Sequence, residues 1–451
     1  MPDAAPPAGA SVSGAMCGFA GFLEPNGLAA GAEADLRAMS ATIVHRGPDD
    51  DGTWLDPAAG VALAFRRLSI LDLSAAGHQP MVSTAGRFVL VFNGEIYNHL
   101  DLRAELSGSG TTWRGHSDTE TLLASIERWG VRATLERAVG MFALALWDRH
   151  DRSLTLARDR LGEKPLHYGW HAGRLLFASE LKAYDGIDVD TIEAIPPGGL
   201  YDSLDGPRRW YRTPHGAAVP EPGLGIEATA AELRLVMEEA VEKWMVADVE
   251  IGCFLSGGLD SSIIAALAAR HAPYRIKTFS VGAEGSPDLL AARRVAAHIG
   301  SDHFEFAFGP GDVIQVLPKV IYHLESADVD LVRSAIPTHF AARLARQHVK
   351  AVLTGEGADE LFAGYTYHHA YVDRPRELAE ELTRSLNAMH NINLQRVDRI
   401  TMGESLEART PFLDRDLIDF AQSIPATLKL CRTDPSDREA TGATTEKWIL
   451  R

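Results

Sequence analysis

The chain has 451 residues, room for two or three domains, and its 46% hydrophobic and 23% charged content is that of a globular enzyme. A net charge of −17 argues against a nucleic-acid binder, and no run approaches the roughly 18 apolar residues of a membrane span. The three cysteines, Cys17, Cys253 and Cys431, lack metal-ligand spacing and fit a reduced cytoplasmic protein.

Residues 1–16 are expected to be a disordered extension, with neither the basic nor the apolar region of a signal peptide. Strand-like stretches follow: "CGFAGFL", "VALAFRRLSILDL", "RFVLVFNGEIY", "GMFALALWD", "SLTLARD" and "RLLFASE". Helical pieces such as "DLRAMSATIVH" and "DTETLLASIERWG" lie between them. This rhythm predicts a layered α+β domain over residues 17–205. A Pro/Gly-rich linker is expected at 206–228, and a second domain over 229–451. There Leu233, Val236, Met237, Ala240, Val241 and Trp244 recur at helical spacing. Strands "VEIGCFL", "IKTFSV", "HFEFAF" and "KAVLTG" then alternate with helices, the pattern of a doubly wound parallel sheet.

Such sheets bind ligands at the carboxyl ends of their strands. Two loops lie there. "FLSGGLDSS" puts Ser256, Gly257 and Gly258 between strand and helix, with Ser261 and Ser262 at the helix start. Glycines let backbone N–H groups close on a phosphate, and the helix N-terminus favours an anion. Asp260 would repel that phosphate unless a cation intervened, so it reads as a Mg²⁺ ligand. The lysine of an ordinary P-loop is missing, which favours a pyrophosphate-releasing adenylation site. "TGEGADELFAGY" follows the next strand in the same way: Gly355 and Gly357 permit close approach, Asp359 can share the metal, and Glu356 is placed as a base.

Cys17 has no evident histidine base nearby. An N-terminal cysteine would use its own α-amine, so Met16 is expected to be the working start, with Met1 to Ala15 outside the active protein. The segments "HRGPDDDG", "RRLSILDLS", "FNGEIYNH" and "SDTE" carry the guanidinium, amide and carboxylate groups that binding glutamine demands, and Asn93 with Gly94 suits an oxyanion hole.

With these residues in view, the sequence resembles the glutamine-hydrolysing asparagine synthetases from Cys17 to its last residue. "HRGPD", "NGEIYNH", "SGGLDSS", "GSPDL", "GEGADELFAGY" and "EARTPFLD" stand in the family's order. The resemblance implies an N-terminal-nucleophile αββα glutaminase domain joined to an α/β ATP-pyrophosphatase-type synthetase domain. It implies that Cys17 attacks glutamine, with Asn93 and Gly94 holding the oxyanion. Arg67 would grip the glutamine carboxylate, Glu95 and Asp118 its amine, with Arg46 in support. Leu255, Val281, Thr354 and Gly355 would contact ATP, and Ser256 to Ser262 the pyrophosphate. Asp260 and Asp359 would bind Mg²⁺, Glu356 would aid formation and capture of β-aspartyl-AMP, and ammonia would pass between the sites. A homodimer acting on small molecules is implied.

Two departures are visible. "TTEKWILR" looks like the opening of a helix, where family members continue to a loop bearing a phosphate-neutralising lysine; Lys447 precedes that loop and is not its equivalent. In "DVDLVRSAIP" Arg333 matches the family's acceptor-binding arginine, but Asp330 and Leu331 replace expected hydroxyl residues. Two other readings therefore stand beside asparagine synthesis: an amidotransferase of the same fold acting on another carboxylic acid, and a non-synthesising binder of glutamine or nucleotide.

Overall fold

The computed structural model describes residues 17–216, 225–432 and 444–451. The expected N-terminal extension and the middle of the expected linker lie outside the described residues. The first half is built on two six-stranded sheets. One takes, in spatial order, Thr191–Ala194, His167–His171, Arg174–Ala178, Gly18–Leu23, Val61–Arg67 and Asp50–Asp56. The other takes Gly206–Arg209, Gly199–Asp202, Ser153–Arg158, Gly140–Asp148, Phe88–Ile96 and Met81–Val82. All their ladders are antiparallel.

Side-chain alternation explains how the sheets stack. Val61, Leu63 and Phe65 point to one face and meet Val89, Val91, Ala143, Ala145 and Trp147 of the opposite sheet. The intervening Ala62 and Ala64 face the other way, under Leu36 and Met39 of helix Ala32–Thr42. In the second sheet Leu90, Phe92, Phe142 and Leu144 likewise face Leu122 and Ile126 of helix Asp118–Trp129. Both faces of each sheet are therefore covered, which is why these strands read as continuous apolar runs. The result is the αββα sandwich. It extends past the expected boundary at 205, because Gly206–Arg209 pairs with Gly199–Asp202 and Trp210 is buried against Phe142.

The second half begins with helix Ile226–Trp244, which buries Leu233, Met237, Ala240, Val241 and Trp244. Its sheet is parallel, in the order Asp302–Ala307, Lys277–Gly282, Ile251–Phe254, Ala351–Leu353 and Glu407–Arg409. The order reverses between Ile251–Phe254 and Ala351–Leu353, so a crevice opens beyond their carboxyl ends. "TTEKWILR" does not open a helix: Thr444–Glu446 pairs with Leu430–Arg432, a single 3-10 turn Trp448–Leu450 follows, and Ile449 is buried.

The halves meet over a mixed interface. Leu68, Ile70, Tyr97, Met141 and Leu161 of the first join Leu255, Leu353, Leu394, Met402 and Phe412 of the second in one apolar cluster, with Cys17 against it. Ion pairs cross the same junction, including Lys350 Nζ to Asp49 Oδ2 at 2.7 Å.

Candidate active site

Two cavities lie on either side of this interface. The first is lined by Cys17, Arg67, Leu68, Leu71, Gly77, Gln79, Phe92, Gly94, Glu95, Ser117, Asp118 and Thr119. Cys17 directly precedes strand Gly18–Leu23, and its Sγ lies 3.7 Å from the carbonyl of Leu68. Burial pushes its thiol up to about 12, so the sulfur is a nucleophile only once a base takes its proton. Alkylation of Cys17 by iodoacetamide, followed by peptide mass spectrometry on the 451-residue chain, is expected to rise about tenfold per pH unit from pH 7 to 10. A rate flat over that range would contradict a protonated thiol.

Asn93 and Gly94 follow one another on strand Phe88–Ile96. Asn93 is wholly buried and neither its Oδ1 nor its Nδ2 has a partner among the described residues. A buried amide N–H without a partner costs stability unless a ligand accepts from it, as an oxyanion would from Nδ2. Gly94 has φ 155, and a Cβ there would come within 2.1 Å of the Met141 carbonyl, so only glycine fits.

Arg67 spends part of its guanidinium on the turn 71–74: Nη1 donates to Ser74 O at 3.0 Å and Nη2 to Asp72 O. The buried arginine still borders the cavity, as a carboxylate clamp requires. Asp118 accepts from the N–H groups of Ile96 at 2.8 Å and Thr119 at 2.7 Å. Burial still raises its carboxyl to about 6. Burial, then Asp118 and Glu407, push Glu95 well above the carboxylate range, and Arg409 only partly offsets them. Two raised carboxyls on one cavity wall, with Arg409 Nη2 no nearer than 3.5 Å to Glu95 Oε1, leave room for a further cation such as an α-ammonium.

Arg46 stands elsewhere. It lies behind the nucleophile rather than on the cavity wall, with Nε donating to Cys17 O at 3.1 Å and both Nη atoms on Asp398 of the second domain. It does not border the cavity where glutamine was expected to bind. Gln79 was missed on sequence: it clamps the Phe92 backbone through Nε2 to O at 3.2 Å and N to Oε1 at 2.7 Å.

The second cavity, about 390 Å³, opens at the strand reversal. It gathers Leu255, Ser256, Asp260, Ser261, Val281, Thr354, Gly355, Glu356 and Asp359. Gly257 has φ 79, and a Cβ there would lie 2.6 Å from the Ala292 nitrogen, so the turn needs glycine. Ser256 Oγ and Ser261 Oγ are 2.9 Å apart, and Ser262 Oγ donates to Gly258 O at 2.6 Å. These bonds shape the loop around the first turn of helix Leu259–His271, whose free N–H groups suit phosphate. Gly257, Gly258 and Ser262 form the loop without bordering the cavity.

Glu356 borders the cavity but is ion-paired with Arg396, an arginine missed on sequence. A carboxylate held by a guanidinium is oriented, which suits positioning of the acyl-acceptor side more than free proton transfer. Asp288 also borders this cavity, from the "GSPDL" motif. Arg333 does not: its side chain is 79% exposed and pairs with Asp330 at 3.2 Å. Pro337, Thr338 and Ala341, further along the same helix Val329–Ala345, reach the wall instead.

Asp260 and Asp359 hold one cation between them, but it is Lys447, with Nζ 2.5 Å from Asp260 Oδ2 and 2.7 Å from Asp359 Oδ1. Sequence gave no sign of this, because residues 433–443 separate the lysine from the rest of its domain. The pair fits Mg²⁺ chemically: the carboxylates share one cation position, and Asp260 Oδ1 is buried without a partner. No cluster of three or more His, Cys, Asp or Glu side chains suited to a metal occurs among the described residues, so phosphate oxygens and water would complete the shell. No helix among the described residues is long and apolar enough to cross a membrane.

Comparison with known proteins agrees with this layout. Residues 16–193 match the glutamine amidotransferase domain model, and residues 232–377 and 372–451 match the asparagine synthase model. The chain is 36% identical over 448 residues to an asparagine synthetase [glutamine-hydrolyzing] of Sandersonia aurantiaca, covering 97% of this chain and 82% of that one. It is 36% identical over 449 residues to asparagine synthetase [glutamine-hydrolyzing] 2 of Arabidopsis thaliana, covering 97% and 74% respectively. Among solved structures, the glutamine phosphoribosylpyrophosphate amidotransferase of B. subtilis matches with TM-score 0.40 and 15% identity, over 67% of this chain and 92% of that one. A nucleophile pocket and an adenylation-type crevice in one chain, each matched by its own domain model and both by relatives along nearly the whole length, place the protein in the family of glutamine-hydrolysing asparagine synthetases.

Proposed function

We propose that the chain makes asparagine from aspartate, glutamine and ATP, releasing glutamate, AMP and pyrophosphate. One observation carries this reading: the Cys17 pocket and the nucleotide-type crevice face a shared apolar interface. Arg67 binds the glutamine carboxylate, and Glu95 with Asp118 takes its ammonium. Cys17 Sγ attacks the carboxamide carbon, and Asn93 Nδ2 with Gly94 N–H holds the oxyanion that forms. The thiol proton passes to the departing nitrogen, ammonia leaves, and water later cleaves the thioester to free glutamate and return the thiol its proton. Neutral ammonia crosses the apolar junction around Leu68, Met141, Leu255 and Met402 without the desolvation cost of an ion.

In the crevice, the Ser256–Ser262 loop cradles the phosphates, while Leu255, Val281, Thr354 and Gly355 frame the rest of the nucleotide. The aspartate side-chain carboxylate attacks the α-phosphorus and pyrophosphate departs. Glu356, held by Arg396, orients the acyl-adenylate for ammonia. Asp260 and Asp359 would hold Mg²⁺, which supplies positive charge to the departing pyrophosphate. The acceptor is assigned by family. Arg333, exposed and paired with Asp330, does not border the crevice. A homodimer and a cytoplasmic setting belong to this proposal.

The test is incubation with ATP, Mg²⁺, aspartate and glutamine labelled with ¹⁵N in its amide. Labelled asparagine and AMP should form in equal amounts. Nucleotide binding without AMP release would favour a non-synthesising binder. AMP release only with another carboxylic acid would favour a different acceptor.

A further inference from the structure

Lys447 is held in place from several directions. Its backbone N–H donates to Phe362 O at 3.1 Å, and its φ of 53 is one that few side chains adopt. Its stem passes over Gly364, where a Cβ would lie 2.0 Å from Lys447 Cε and 1.9 Å from Asp359 Oδ1. The strand Thr444–Glu446 before it and the buried Ile449 after it tie the segment to the domain. The side chain is only 9% exposed, and its ammonium bridges two carboxylates from different helices, Leu259–His271 and Ala358–Phe362.

Two carboxylates facing one partly buried point repel each other, so the pair needs a cation whether or not nucleotide is present. A Mg²⁺ ion held at about 2.0–2.1 Å by these carboxylates would sit close beside an ammonium bridging the same pair, and the two cations repel each other. The arrival of metal therefore drives the ammonium away by like-charge repulsion, and a lysine on a flexible four-carbon stem can leave without moving its backbone. The cavity it would swing across is the one the phosphates fill. Lys447 is thus within reach of the phosphate charge for which the resemblance expects a lysine from a later loop.

We propose that Lys447 is the resident counter-ion of the nucleotide site: it pairs with Asp260 and Asp359 until a divalent metal takes them, then moves to the phosphate oxygens. This rests on the reading of Asp260 and Asp359 as the metal ligands.

The experiment uses Mn²⁺ as the probe, with free metal read by electron paramagnetic resonance on nucleotide-free protein. Lys447→Met should bind Mn²⁺ at least about tenfold more tightly than the unaltered chain, since the competing cation is gone. Lys447→Arg, which keeps a cation, should not bind more tightly. A second readout needs no variant. The rate at which an amine-reactive ester labels Lys447 in the unaltered chain, measured by mass spectrometry, should rise several-fold on saturation with Mn²⁺. It should fall again when a non-hydrolysable ATP analogue is added. Equal Mn²⁺ affinities with metal-insensitive labelling would overturn the counter-ion role while leaving the metal reading intact. If neither the unaltered chain nor Lys447→Met binds Mn²⁺, the assignment of Asp260 and Asp359 to metal fails, and the counter-ion role fails with it.

Discussion

Replacing Cys17 with alanine should end asparagine formation from glutamine, by at least about 10³-fold. Formation from added ammonium should stay within about twofold of the unaltered enzyme. The sulfur is the group in the first cavity suited to attack a carboxamide, and its removal leaves Arg67, Glu95 and Asp118, the proposed glutamine ligands, in place on the cavity wall. Binding without a nucleophile gives no thioester and no ammonia. The adenylation crevice shares no lining residue with the Cys17 pocket, so ammonium supplied from solvent bypasses the lesion. The measurement is paired steady-state rates with glutamine and with ammonium chloride, each followed by asparagine and pyrophosphate. A comparable fall in both would mean that Cys17 acts on the second site through the interface it packs against. Separate catalytic sites would then be the wrong description.

Much of this layout was legible because it rests on local chemistry. Glycines after strands, serines at helix starts and acids beside them announce a phosphate loop from their order alone. The layered strands were legible because both faces of each sheet are buried, giving runs such as "VALAF" and "FALALW". What sequence did not reveal is made by partners far apart in the chain. Arg396 orients Glu356, and Arg409 with Glu407 faces Glu95. In sequence these are charged residues of a helix and a short motif, and such residues ordinarily face water. Strand Glu407–Arg409 went unread for the same reason: three residues, two of them charged, do not announce a buried strand. Lys447 is the extreme case, because only the folded return of residues 444–451 brings it to Asp260. Arg333 is the opposite case: its motif suggests an acceptor site, while its side chain forms a solvent-facing ion pair away from the crevice lining.

Replacing Arg46 with methionine should show how far the nucleophile depends on the other domain. Arg46 is fully buried, with Nη1 2.5 Å from Glu180 Oε1 and Nη2 3.1 Å from Asp398 Oδ1, while Nε holds the Cys17 carbonyl. Burial alone would raise both carboxyls. The guanidinium reverses that for Asp398, and His45 and Arg46 together hold Glu180 well below the carboxylate range. Removing the arginine leaves two buried acids short of a cation, a loss of about 3–5 kcal/mol for a buried pair broken on one side. Urea unfolding at pH 7 should show it as a lower midpoint. Because the folded carboxyls titrate below their unfolded values, their stabilisation is present above about pH 4 and lost as the pH falls through the folded values. The unaltered chain should therefore lose stability steeply on acidification, and Arg46→Met less so, since its acids no longer have that pairing to lose. The kinetic signature follows from the Nε contact: the glutamine-dependent rate should fall further than the ammonium-dependent one, because the Cys17 backbone loses its anchor. Asp398→Asn keeps a hydrogen-bond acceptor for Arg46 and should cost less on every readout. If the midpoint of Arg46→Met matched that of the unaltered chain, the cross-domain ion cluster would contribute nothing net to stability, and the placing of Cys17 would have to come from the apolar cluster alone.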